Sequence, residues 1–148
     1  MKRAGLVWLI LLIAGCVTVK VPKYINQDFP YRQDFAAGFD ETFNATSRVL
    51  KELGWKITET ANPASFDPTS ADKRKQVLIF TEIRQTPMFL STSYASLNVY
   101  LREMGIDRTQ VEVRYLYVLP LPLRDHKNYQ NDALVKKIFN KINERLKQ

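Results

Sequence analysis

Gln110-Val111-Glu112-Val113-Arg114-Tyr115-Leu116-Tyr117-Val118-Leu119 is the stretch that decides the fold of this chain. Successive side chains of a strand point to opposite faces, so Val111, Val113, Tyr115 and Tyr117 share one face and Glu112, Arg114, Leu116 and Val118 the other. Working back, Ser93 to Arg102 repeats the pattern, with Ala95, Leu97, Val99 and Leu101 set against Tyr94, Ser96, Asn98 and Tyr100. Met104 to Thr109, with Gly105 and Asp107, has the composition of a hairpin connection between the two. Gln76 to Arg84 reads as a further strand, Val77, Ile79, Thr81 and Ile83 against Leu78, Phe80, Glu82 and Arg84. Trp55 and Ile57 mark a short one, after which Asn62-Pro63 and Asp67-Pro68 signal a polar loop through Lys75. Pro120 and Pro122 stop the last strand, since neither can donate to a ladder.

Outside these strands the period changes from 2 to 3.6. Phe35, Phe39, Phe43, Thr46, Val49, Leu50 and Leu53 form a helical stripe, with Asp34 placed to cap its start and Gly54 to stop it. Leu134, Val135, Ile138, Phe139, Ile142 and Leu146 form a second stripe behind Asn131 or Asp132 as the cap. Both stripes must be buried, and one sheet face alternates cleanly apolar. The expected fold is therefore α+β: a two-layer sandwich of a four-stranded antiparallel sheet with two helices on one face, in the order (β)-α-β-β-β-β-α. The parenthesised strand is an optional one near Val17, Val19 and Val21. Residues 16–34 otherwise lose all periodicity around Pro22 and Pro30 and read as a tether, leaving 35–148 as the single domain.

The chain has 148 residues and a formal charge of +7. At its start Lys2 and Arg3 precede the apolar run Leu6 to Ile13, which ends in Ala14, Gly15 and the sole cysteine, Cys16. A positive segment, a short apolar segment and small residues before a cut are the grammar of a secretory signal, here residues 1–15. Only 16 residues separate Arg3 from Lys20, fewer than a spanning helix of about 18 or more needs. Removing residues 1–15 takes Lys2 and Arg3 away and leaves 133 residues at a formal +5. That is enough for one domain with a core, and the charge is too mild, with no dense Lys/Arg run and no recognisable module of basic and aromatic residues, to point to nucleic acid. Cys16 is the only cysteine and His126 the only histidine, so no disulfide and no metal set is expected, and no cofactor.

Ile13-Ala14-Gly15-Cys16 resembles the lipobox of bacterial lipoproteins. The resemblance implies cleavage before Cys16 by signal peptidase II, a diacylglycerol on its sulfur and an acylated new amino terminus. Stable anchoring needs more than one acyl chain, which such a terminus supplies without a spanning helix. Val17 stands where an inner-membrane retention signal would carry aspartate, which implies the periplasmic side of the outer membrane. A helix, an antiparallel sheet and a closing helix behind a lipobox also resemble the TBP-like or helix-grip domains of BamC-like outer-membrane lipoproteins, in element order over roughly residues 35–147.

No acid, base and nucleophile stand in a recognisable constellation, and Ser91-Thr92-Ser93 lacks the glycines of a nucleophile elbow, so an enzyme is not expected. Glu82, Arg84, Arg102, Glu112 and Arg114 fall on one expected sheet face with Tyr94 and Tyr100. Solvated cross-strand pairing accounts for these charges, and an envelope protein partner is the ligand such a mixed polar and aromatic face would suit. The second expectation is a carrier or sensor of a small apolar or lipid ligand held between sheet and C-terminal helix, with Leu119-Pro120-Leu121-Pro122-Leu123 at its mouth.

Overall fold

A computed structural model of the chain describes residues 19–68, 73–89, 91–121 and 124–148. Cys16, with Ile13, Ala14 and Gly15, lies outside the described residues. The elements are β1 (Tyr31–Phe35), α1 (Phe39–Glu52), β2 (Ile57–Ala61), a 3-10 turn (Pro63–Ser65), β3 (Gln76–Thr81), β4 (Arg84–Pro87), β5 (Thr92–Gly105), β6 (Arg108–Leu119), β7 (His126–Asn128) and α2 (Asp132–Arg145). The fold is α+β with two helices and an antiparallel sheet. The sheet has seven strands rather than four, in the order β1-β6-β5-β3-β2 with β4 on β5 and β7 on β6.

The additional strands are short pieces set along the edges of two long central ones. Beside β5, β3 occupies Asn98 to Arg102 and β4 occupies Thr92 to Ala95. The ladder breaks between them because three residues, 81–83, oppose two, and Thr81 fills the gap. Its hydroxyl donates to the Leu97 carbonyl and accepts from the Leu97 N–H, each at 3.0 Å, which satisfies backbone groups that a missing ladder partner would leave bare. Beside β6, β1 pairs Thr109 to Val113 and β7 pairs Tyr117 to Leu119.

The first helix starts four residues later than its stripe suggests. Phe35 belongs to β1, and Asp34 does not cap the helix but accepts hydrogen bonds from Gln110, at 2.9 Å, and Arg108 across the β1–β6 pair. Gly38 takes the N-cap position without a side-chain cap. The stop at Gly54 is as expected. Gly54 has φ +75, the Gly54 N–H donates to Lys51 and the Trp55 N–H to Leu50, so the last carbonyls are satisfied by a Schellman closure that favours glycine. Asn131 caps α2, its side chain accepting from the Leu134 N–H at 3.1 Å.

One apolar layer joins both helices to one sheet face. Val49, Leu50, Val135, Ile138, Phe139 and Ile142 pack against Ile79, Leu97, Val99, Leu101, Val111, Val113 and Tyr115, all buried. At about 2 kcal/mol for each fully buried aliphatic side chain, this layer is the main source of stability.

The other face differs from expectation. Residues 19–29, read as tether, lie across it, and the 3-10 turn brings Phe66 over its margin. Ordered structure thus begins at least 16 residues before Phe35.

Candidate functional site

The charged and aromatic residues singled out in the sequence do not form one open surface. Tyr94, Tyr100, Arg102, Glu112 and Arg114 do share the second face, as alternation along β5 and β6 requires. Arg84 is on the helix side, because the bulge after Thr81 turns β4 over. Its guanidinium stacks 3.7 Å from the Trp55 ring centroid and donates to the Leu53 carbonyl, and burial draws its pKa below the ordinary arginine value despite the Tyr115 oxygen nearby. Glu82 lies beyond the end of β3, exposed and paired with Lys56 at 3.4 Å.

Glu112 and Arg114 are 4 % and 9 % exposed, so the charge pair expected in water is interior. Arg114 Nε donates to Glu112 Oε1 at 2.6 Å, and Arg32 Nε from β1 donates to Glu112 Oε2 at 2.7 Å. The second end of the Arg114 fork donates to the Tyr24 hydroxyl and, at 3.3 Å, to the Ile25 carbonyl. Burial works against the Arg114 charge, yet the hydrogen bond and charge of Glu112, and then Tyr24, outweigh it and hold the pKa above its ordinary value. A carboxylate buried this way is tolerable only with its oxygens occupied, which the two arginines achieve.

Around this pair the backbone of residues 23–29 is fastened by amide side chains. Asn98, 1 % exposed, accepts from the Ile25 N–H at 2.7 Å and donates to the Lys23 carbonyl at 3.1 Å. Gln27 accepts from the Tyr115 N–H at 3.2 Å and donates to the Tyr129 carbonyl at 3.1 Å. Asn98 acts on Lys23 and Ile25 as a strand partner would. Gln27, from the segment itself, does the same for the Tyr115 N–H of β6 and the Tyr129 carbonyl, so backbone groups are satisfied without a ladder. Two apolar clusters flank them. Val19 and Val21 join Ile25, Leu116, Val118, Tyr94 and Tyr129 in one. In the other, Tyr24 stacks on Phe66 at 5.7 Å, and Phe66 meets Phe80 edge-on at 5.0 Å. The void left between Tyr24, Pro63, Leu78, Tyr100 and Arg114 is about 10 Å³, at the lower limit for one water molecule.

Tyr24, Ile25, Gln27, Arg32 and Asn98 are the residues that sequence reasoning missed. A signal was available. Leu78, Phe80, Leu116 and Val118 are too apolar for a solvated face, and Val19, Val21 and Ile25 are too apolar for a solvated tether. Each set supplies the cover that the other lacks.

Beside the C-terminal helix, where a ligand cleft is the second expectation, Val135, Ile138, Phe139 and Ile142 are buried in the core, with Phe139 tilted against Phe35 at 6.1 Å. Pro122 and Leu123 of the expected mouth lie outside the described residues. Leu121 projects at the far end of β6, 47 % exposed. Among the described residues no three His, Cys, Asp or Glu side chains converge as metal ligands, and no helix is long and apolar enough to cross a membrane. No protein-family model matches the sequence, and no curated protein matches it.

Proposed function

We propose that the chain is a bacterial lipoprotein, a non-catalytic interaction module of the cell envelope held by lipid on Cys16 at the periplasmic side of the outer membrane. One observation carries the reading: the sole cysteine stands directly after Ile13-Ala14-Gly15 at the end of a short apolar run preceded by Lys2 and Arg3. Glu112 and Arg114, bonded to each other and to Arg32, Tyr24 and Ile25, hold the fold together and take no part in the proposed contact. An envelope protein partner then meets the rim of the sheet, where Glu82 and part of Tyr94 and Arg102 reach solvent, rather than its centre.

Labelling growing bacteria with a radioactive fatty acid tests the anchor. The wild-type chain takes up label that stays with the protein after delipidating solvent, and Cys16→Ser takes up none. Equal labelling of both contradicts the reading. A photo-crosslinker at Tyr94 or Glu82 tests the partner: a discrete adduct in intact envelopes supports it, and its absence at both positions removes the interaction role.

A further inference from the structure

The two ends of the sheet differ in what they expose and in which of them Val19 and Val21 lie near. At one end are the β5–β6 hairpin tip and Ile106. At the other, β5 begins and β6 finishes side by side, with Tyr94 opposite Val118. Two turns leave the sheet there. The β4–β5 turn, closed by a 2.8 Å hydrogen bond from the Met88 N–H to the Ser91 carbonyl, carries Met88 and Phe89, which are 48 % and 98 % exposed. The β6–β7 connection, closed by Leu119 opposite His126, carries Leu121 at 47 %. β4 and β6 flank β5, so the two turns spring from strands about 10 Å apart. A large aromatic side chain in water with two more apolar side chains nearby is costly for a surface that meets only solvent.

Residues 19–29 lead to this same end. Ile25 is fastened at Asn98, midway along β5, whereas Val19 and Val21 join the cluster of Leu116, Val118 and Tyr94 near the turns. Three residues separate Val19 from Cys16, a span of at most about 10 Å. Lys20, Arg124 and Lys127 are exposed on these segments, against Asp125 as the acidic member of the loop. Cations beside exposed apolar side chains suit the phosphates and acyl boundary of a bilayer.

We infer that this end of the sheet is a membrane-contact edge, with Met88, Phe89 and Leu121 entering the interfacial layer of a phospholipid bilayer and Lys20, Arg124 and Lys127 facing its headgroups. The inference rests on the lipid-anchor reading and adds an orientation to it: the domain stands with its strands steep to the membrane and the Ile106 hairpin pointing away. The anchor alone would leave the domain free to tumble at the end of a short leash.

The test uses the full chain produced in bacteria and purified from membranes, in variants Phe89→Trp and Ile106→Trp, reconstituted into vesicles of phosphatidylethanolamine and phosphatidylglycerol with or without brominated acyl chains. Both positions are exposed, so neither substitution disturbs the core, and buried Trp55 gives a constant background. The expected result is a blue-shifted emission for Phe89→Trp that brominated lipid quenches, with Ile106→Trp unshifted and unquenched. Intact mass measured on the same samples separates the two ways of failing. Acyl chains on Cys16 with Phe89→Trp unquenched overturn the contact edge and leave the anchor standing. A Cys16 without acyl chains overturns the anchor, and the orientation with it.

Discussion

The two faces of the sheet are buried by different means. The helix side is covered by regular elements whose aliphatic side chains interdigitate, and its cover holds whatever the polar pairing. The opposite side is covered by an irregular segment that is held by Asn98, Gln27 and a buried Glu112–Arg114 pair in one register. Burial without direction gives the first face its strength. Directional bonds give the second its specificity, since a slip of residues 23–29 by one position would leave Ile25 out of its pocket and Asn98, Gln27 and Arg114 without partners.

The comparison also sets how each face should fail. A defect behind the helices has no local escape and must destabilise the whole domain, whereas a defect under residues 19–29 can be relieved by lifting that segment into water. Ile138→Ala is expected to cost about 4 kcal/mol, seen as a lower urea midpoint at unchanged slope. Glu112→Ala strands the Arg114 charge and is expected to cost about 3 kcal/mol, with faster hydrogen exchange confined largely to residues 19–29 while β5 stays protected. If exchange rises equally throughout, the two faces are one cooperative unit and the contrast fails. Replacing both members, Glu112→Leu with Arg114→Met, should recover most of that loss, because an apolar pair leaves no buried charge.

Asn98→Ala removes two bonds to the segment and should cost about 2 kcal/mol, read most directly from the exchange rate of the Ile25 amide. The smallest effect belongs to the rim. Hydrogen bonds from Gln110 and then Arg108 hold the Asp34 carboxyl below its ordinary value of 3.8. A depressed carboxylate stabilises the fold above its unfolded value and loses that contribution as pH falls through the folded one. Stability of the wild type should therefore decline more steeply than that of Asp34→Asn below about pH 4, by less than about 1 kcal/mol at this solvent-facing site.

Local periodicity made the central fold legible. Alternation along 93–102 and 110–119 and the stripes over 39–53 and 134–146 place both long strands, both helices and the buried layer between them, and Gly54 and Asn131 mark real helix ends. The edges were not legible. Tyr31 to Phe35 alternates over five residues with Arg32 and Asp34 outward, which is indistinguishable from polar linker until Arg32 meets Glu112 and Asp34 meets Arg108, each more than seventy residues away. β4 and β7 are four and three residues long, below the length at which period 2 carries information. The candidate face was misread for a related reason. A charged residue at an outward position has the same local pattern whether water or another segment covers it, and only the matching of Leu116 and Val118 to Val19 and Val21 tells the two apart. Cys16 is the opposite case, a reading carried by four adjacent residues that needs nothing from the fold.

The central claim is that residues 19–29 are part of the domain and close its second face, which is what brings Val19 and Val21 to one end of the sheet. Hydrogen exchange of the Ile25 and Tyr115 amides in the membrane-extracted protein tests it most directly. Both amides should be protected, Ile25 through Asn98 and Tyr115 through Gln27, and should lose protection together in Asn98→Ala. An Ile25 amide that exchanges at the rate of an unfolded chain, with the central strands protected, would contradict the claim.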